Sequence, residues 1–111
     1  ASAQAEVEKC AQLFRHMAEA GPSMLEPLRF DLGEDGRAEG HWLPQGTVLA
    51  VMPWNYPYWQ VARFLAPTVM AGNVGVLKHA SAVQGCAAHL KPSISAFPPT
   101  LPRPSIPAGS C

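Results

Sequence analysis

The chain has 111 residues, is 48% hydrophobic and carries eight acidic and eight basic side chains, for a formal net charge of +0. That length bounds the chain at one domain, and no apolar run approaches the roughly 20 residues needed to span a bilayer. All eight acids lie in residues 1–40 beside four bases, whereas residues 41–111 hold four bases and no acid. These later bases (Arg63, Lys78, Lys91 and Arg103) are isolated and form no patch, which argues against a nucleic-acid partner.

Cys10, Cys86 and Cys111 are odd in number and widely spaced, with no CxxC pair. Neither a zinc site nor a disulfide framework follows, and a reducing, cytoplasmic setting is the simpler reading. His16, His41, His79 and His89 show no paired ligand spacing, so no metal is expected. The first residues form no basic-then-apolar leader, and the missing initiator Met suggests a fragment.

Residues 2–20 predict the first helix. Val7, Cys10, Ala11, Phe14, Met17 and Ala18 recur at helical spacing as one apolar stripe, with Gln4, Glu8, Arg15 and Glu19 off it. Gly21-Pro22 is expected to end it, Gly by accepting a C′ conformation and Pro by lacking a donor. Residues 26–43 predict a hairpin. Leu28, Phe30 and Leu32 alternate with polar residues and Pro as a half-buried strand should, Gly33–Gly36 supplies the turn, and residues 38–43 return.

Residues 47–52 are a short continuous apolar run, as in a strand buried on both faces of a parallel sheet. Pro53 stops it. Residues 58–71 follow with Trp59, Ala62, Ala66, Val69 and Met70 at helical spacing, a kink or late first turn expected at Pro67, and Gly72 as terminator. Residues 74–77 predict a second buried strand, and Ser81 an N-cap for a third helix beginning near Ala82. Residues 86–111 contain six prolines and no acid, and read as a disordered or polyproline-like tail. The fold class expected is α/β: a partial Rossmann-like parallel βαβ sheet, preceded by a helix and a β-hairpin, with a disordered Pro-rich tail.

Open parallel sheets place ligands beyond the carboxyl ends of their strands, and Asn55, Lys78 and Ser81 all fall there. The residues that carry identity are Pro53-Trp54-Asn55-Tyr56-Pro57, Ala66-Pro67, Ala71-Gly72-Asn73 and Leu77-Lys78-His79-Ala80-Ser81. From about Glu6 to about Ala87 the chain resembles the amino-terminal cofactor half of an aldehyde dehydrogenase, most closely the succinate-semialdehyde dehydrogenase branch. The resemblance implies oxidation of a small aldehyde, succinate semialdehyde, to the acid with NAD or NADP. In that chemistry a cysteine attacks the carbonyl, hydride passes to the nicotinamide, and a glutamate activates water. It implies a homo-oligomer, with residues 26–43 as an oligomerisation-type hairpin, and no membrane or nucleic acid.

Carried over residue by residue, the resemblance gives Asn55 the oxyanion formed after thiolate attack, as a catalytic residue also beside the cofactor. Taken alone, Asn55 reads as a turn residue bonding its own backbone. Trp54 contacts cofactor through its backbone. Lys78 reaches the adenosine ribose hydroxyls; its bland alternative is a lysine whose head reaches the rim. Ser81 stands where many NAD-selective relatives carry a glutamate, so repulsion of a 2′-phosphate is absent and NADP is admitted beside NAD. Arg63, eight positions after Asn55, lies where relatives hold the substrate carboxylate, although a solvated helix face accounts for it equally well. Tyr56, with Tyr58 and Trp59, is placed to line the aldehyde tunnel, while Trp59 also belongs to its helix's apolar stripe.

No cysteine resembles the nucleophile, and no glutamate follows residue 39. The expected division is residues 1–87 as a partial cofactor-binding domain and residues 88–111 as a tail that is out of frame or disordered. The chain is therefore read as a truncated aldehyde dehydrogenase, inactive alone. The alternatives are a non-catalytic nucleotide-binding fragment and a subunit-interaction fragment.

Overall fold

Helix α1 spans Ala3–Met24, four residues beyond the expected end. Ser2 caps it, its Oγ accepting the Ala5 N–H at 3.3 Å. In this computed structural model, which describes residues 2–95, Gly21-Pro22 does not stop the helix. Pro22 falls in the last turn, so the donor it lacks frees only one carbonyl near the end, and Leu25 N–H closes onto Pro22 and Ser23 carbonyls. Gly21 has a different task. It is buried against the second long helix, and a Cβ there would lie 2.6 Å from Met70 Cγ and Sδ. Of the expected stripe, Cys10, Ala11, Phe14 and Met17 turn inward while Val7 and Ala18 are exposed, and Glu6, Leu13, Ala20 and Gly21 join the packed face.

The hairpin pairs β1 (Leu28–Asp31) with β2 (Arg37–Gly40), Leu28 opposite Gly40 and Asp31 opposite Arg37. A 3-10 turn at Gly33–Asp35 joins them, with Asp31 Oδ1 accepting the Gly33 N–H at 3.0 Å. The half-buried strand expected here is exposed throughout, and Leu28, Phe30 and Leu32 each stand about half open. The hairpin packs chiefly strand on strand, so neither of its faces is covered.

The second sheet pairs β3 (Thr47–Val51) with β4 (Val74–Lys78) in parallel, Thr47 opposite Val74 and Val51 opposite Lys78. Helix α2 (Pro57–Met70) crosses between them, opening on Pro57 and continuing through Pro67. It covers one face of the sheet only. Ala50, Val61, Ala62, Leu65 and Ala66 form the core, while Leu49, Val51, Val74 and Val76 face outward. The expectation of strands buried on both faces is therefore corrected: one helical layer leaves alternate residues open.

The crossover ends in a Schellman motif. Gly72, at φ +82°, lets its own N–H reach Val69 O at 2.9 Å and Asn73 N–H reach Thr68 O at 3.0 Å. Asn73 Oδ1 then accepts the N–H groups of Gln45 and Gly46 at 2.6 and 3.0 Å, and Val74 N–H bonds Gly46 O. The Ala-Gly-Asn segment thus fixes where β3 begins.

Beyond β4, Ser81–Val83 form a 3-10 turn leading into α3 (Gln84–Ser95). Ser81 is not the N-cap expected of it; Ala80 holds that position and no side chain caps the turn. Helix α3 runs through Pro92, so the tail expected from residue 88 begins inside a helix. The rest of that tail, residues 96–111, lies outside the described residues.

Candidate functional site at the carboxyl edge of the parallel pair

The two parallel strands end side by side. Val51 is paired with Lys78, and Met52 N–H donates to Lys78 O at 3.1 Å. From this edge the chain makes the tight Pro53–Tyr56 turn and enters α2. Trp54, Asn55, Tyr56, Lys78 and Ser81 are all exposed at this end of the sheet. The topology therefore brings the predicted Asn55, Lys78 and Ser81 to one edge. Arg63 is exposed about 9 Å further along α2 from Pro57, on the face turned away from the core.

The turn is strained. Tyr56 sits at φ 53°, ψ 61°, and among the described residues no other non-glycine residue has positive φ. An aromatic side chain in this region is unfavourable and persists only where its surroundings fix it. Tyr56 occupies the N-cap of α2 and offers no side-chain cap. The cap comes from α1 instead: Glu6 Oε1 accepts the N–H groups of Tyr58 at 2.9 Å and Trp59 at 2.8 Å. Lys9 Nζ lies 4.0 Å from the Trp59 ring centroid, adding a cation–π contact beside the cap.

His79 closes the opposite side. It is 5% exposed, and its Nδ1 accepts the Ala80 N–H at 3.1 Å. That bond assigns the ring proton to Nε2, which donates to Pro57 O at 3.1 Å. The end of β4 is thereby tied to the first turn of α2. Further into the same helix, the Tyr58 phenol is raised above its ordinary value of 10.0, first by hydrogen bonding to the Cys86 thiol. Burial, and then Glu6, push the Cys10 thiol above 9.0. Among the described residues the free thiols, Cys10 on α1 and Cys86 on α3, are half-buried.

Sequence reasoning did not find Glu6, His79 or the left-handed Tyr56. A signal for Glu6 existed: it lies four, seven and eleven residues before Cys10, Leu13 and Met17, on the packed face, while residue 56 is no capping type. Among the described residues no His/Cys/Asp/Glu group could hold a metal ion, and no helix is long and apolar enough to cross a membrane.

The Aldehyde dehydrogenase family model matches residues 1–100, which include this turn, the crossover helix and Lys78, and the chain belongs to that family. Its relatives include the succinate-semialdehyde dehydrogenase [NADP(+)] 1 of Mycobacterium tuberculosis, 51% identical over 92 residues, covering 81% of this chain and 20% of the relative. The succinate-semialdehyde dehydrogenase [NADP(+)] of Mycobacterium avium is 50% identical over 91 residues, covering 80% and 19%. Among solved structures, succinic semialdehyde dehydrogenase from Streptococcus pyogenes in complex with NADP+ superposes with a TM-score of 0.77 at 34% identity, covering 83% of this chain and 20% of that one. A structure of Gox0499 superposes equally well, TM-score 0.77 at 32% identity, covering 84% and 21%. The chain thus spans about one fifth of the length of the proteins it matches.

Proposed function

We propose that this chain supplies the oxyanion donor and part of the cofactor and substrate contacts of an NADP-linked succinate-semialdehyde dehydrogenase. The observation that carries this reading is the placement of a strained, externally tied Asn55 turn beside Lys78 at one strand edge. The edge suits an anionic cofactor. It presents the Lys78 ammonium and Ser81 hydroxyl, the chain has no acid after Glu39, and Glu6 is occupied with α2. Lys78 and Ser81 would hold NADP+ there, and the bound cofactor would supply a hydride acceptor.

The chain's own residues bind and orient. Lys78 and Ser81 hold the adenosine ribose, with Ser81 leaving room for a 2′-phosphate, and Trp54 meets the cofactor through its backbone. The Asn55 amide N–H₂ donates to the carbonyl oxygen as charge develops on it, a contribution whose loss costs about 10²–10³ in kcat. Arg63 pairs with the distal carboxylate of succinate semialdehyde, and Tyr56 shapes the approach. The thiolate nucleophile and the water-activating carboxylate come from outside these residues, so this stretch alone turns nothing over.

The test is a chimaera in which residues 2–95 replace the matching segment of the Streptococcus pyogenes enzyme. Asn55→Ala should lower kcat at least 100-fold while leaving KM for NADP within about twofold. Full activity in that variant refutes the oxyanion role. The half-open Leu28, Phe30 and Leu32 support a second contribution, the hairpin as a contact between subunits.

A further inference from the structure

The Asn55 turn is built on a residue that disfavours its own backbone conformation, and its two nearest anchors come from elements on either side of it. On one side the Glu6 carboxylate, on α1, takes the first two free N–H groups of α2. On the other the buried His79 ring, at the end of β4, donates to the Pro57 carbonyl. Pro57 directly follows Tyr56, and Asn55 directly precedes it. We propose that Glu6 and His79 are positioning residues for the Asn55 amide, holding the left-handed Tyr56 and so the direction in which the donor points.

Three observations carry this. The α2 N-cap residue has no side-chain bond of its own, so the cap is wholly imported. Glu6 lies on the packed face of α1, where a carboxylate would otherwise lose hydration without return. The His79 tautomer is fixed by the Ala80 N–H, leaving a single donor aimed at the turn. Both spend their hydrogen bonds on the backbone of the first turn of α2, so their influence passes through Asn55.

The proposal rests on the oxyanion role of Asn55 and is tested in the same chimaera by a double-mutant cycle. Glu6→Ala should lower kcat about 10- to 100-fold with KM for NADP unchanged, and His79→Ala should follow it. Glu6→Gln keeps an acceptor oxygen and should recover most of the loss. Placed on Asn55→Ala, Glu6→Ala should lower kcat no further, because the donor it orients is gone. A merely destabilising change reduces active enzyme equally in both backgrounds, and that multiplicative result overturns the proposal. A slow Asn55→Ala with a fully active Glu6→Ala overturns the positioning role alone. A fully active Asn55→Ala overturns the oxyanion reading and the positioning role together. In the 111-residue chain, the Tyr58 and Trp59 amide protons should shift in nuclear magnetic resonance spectra on Glu6→Ala; unmoved amides refute the cap itself.

Discussion

Gly72→Ala tests whether the crossover is set by backbone conformation. The residue sits at φ +82°, where an alanine is strained by about 1–2 kcal/mol. Its Cβ would also stand 2.9 Å from Pro44 Cγ. That carbon belongs to a closed ring which cannot swing away, and overpacking of this kind costs about 1–3 kcal/mol. The loss of unfolded-state freedom on replacing glycine returns about 0.4–1 kcal/mol. The net destabilisation is therefore about 1–4.5 kcal/mol, centred near 3, a large share of the stability of a domain this small. At about 3 kcal/mol the melting temperature should fall by roughly 12–24 °C. Urea unfolding followed by tryptophan fluorescence measures it. Gly72→Asn separates the two contributions, since asparagine accepts the left-handed region but carries the same Cβ. Pro44→Ala in the Gly72→Ala background should recover the steric part, about 1–3 kcal/mol. A Gly72→Ala chain within about 0.5 kcal/mol of the original, or no recovery from Pro44→Ala, refutes the reasoning.

Asn73→Ala removes the shared acceptor of the exposed Gln45 and Gly46 N–H groups and should cost about 1–2 kcal/mol in the same urea assay, whereas Asn73→Asp, which keeps the acceptor, should stay within about 0.5 kcal/mol at neutral pH. Tyr58 is raised above 10.0 chiefly by Cys86, so Cys86→Ala should bring its phenolate absorbance midpoint back down. Because that folded-state value is raised, its contribution to stability is complete below the unfolded phenol value and is lost as pH rises through the folded one. Ser81→Glu in the chimaera should lower kcat/KM with NADP at least tenfold while sparing NAD, measured by initial rates; an unchanged ratio argues against Ser81 at the ribose. Arg63→Leu should raise KM for succinate semialdehyde with little change in melting temperature, since Arg63 is exposed.

The order of elements was legible because its signals are local. The strand runs, the helical spacing of α2 and the glycine at 72 each depend on neighbours a few residues away. The placement of Asn55, Lys78 and Ser81 at one edge followed from parallel pairing alone. What was missed depends on distance. Glu6 acts on amides 52 and 53 residues away, so its charge reads locally as ordinary solvation of a first turn. Gly21 before Pro22 has the local form of a terminator, whereas in the fold it admits the Met70 side chain. The strand runs suggested two-sided burial, but apolar sequence states what a strand can bury and not whether a second layer covers it.

Glu6 meets the start of α2 and Gly21 meets its end, so α1 and α2 lie side by side and point the same way. Parallel neighbours bring their positive macrodipole ends together, which is a mutual repulsion. Glu6 is in the first turn of α1 and on the first amides of α2. One carboxylate therefore neutralises both helix ends at the edge where an anionic cofactor would approach. Removing its charge while keeping its shape would leave two unopposed positive poles side by side, and the helix pair would weaken although its apolar contacts were untouched.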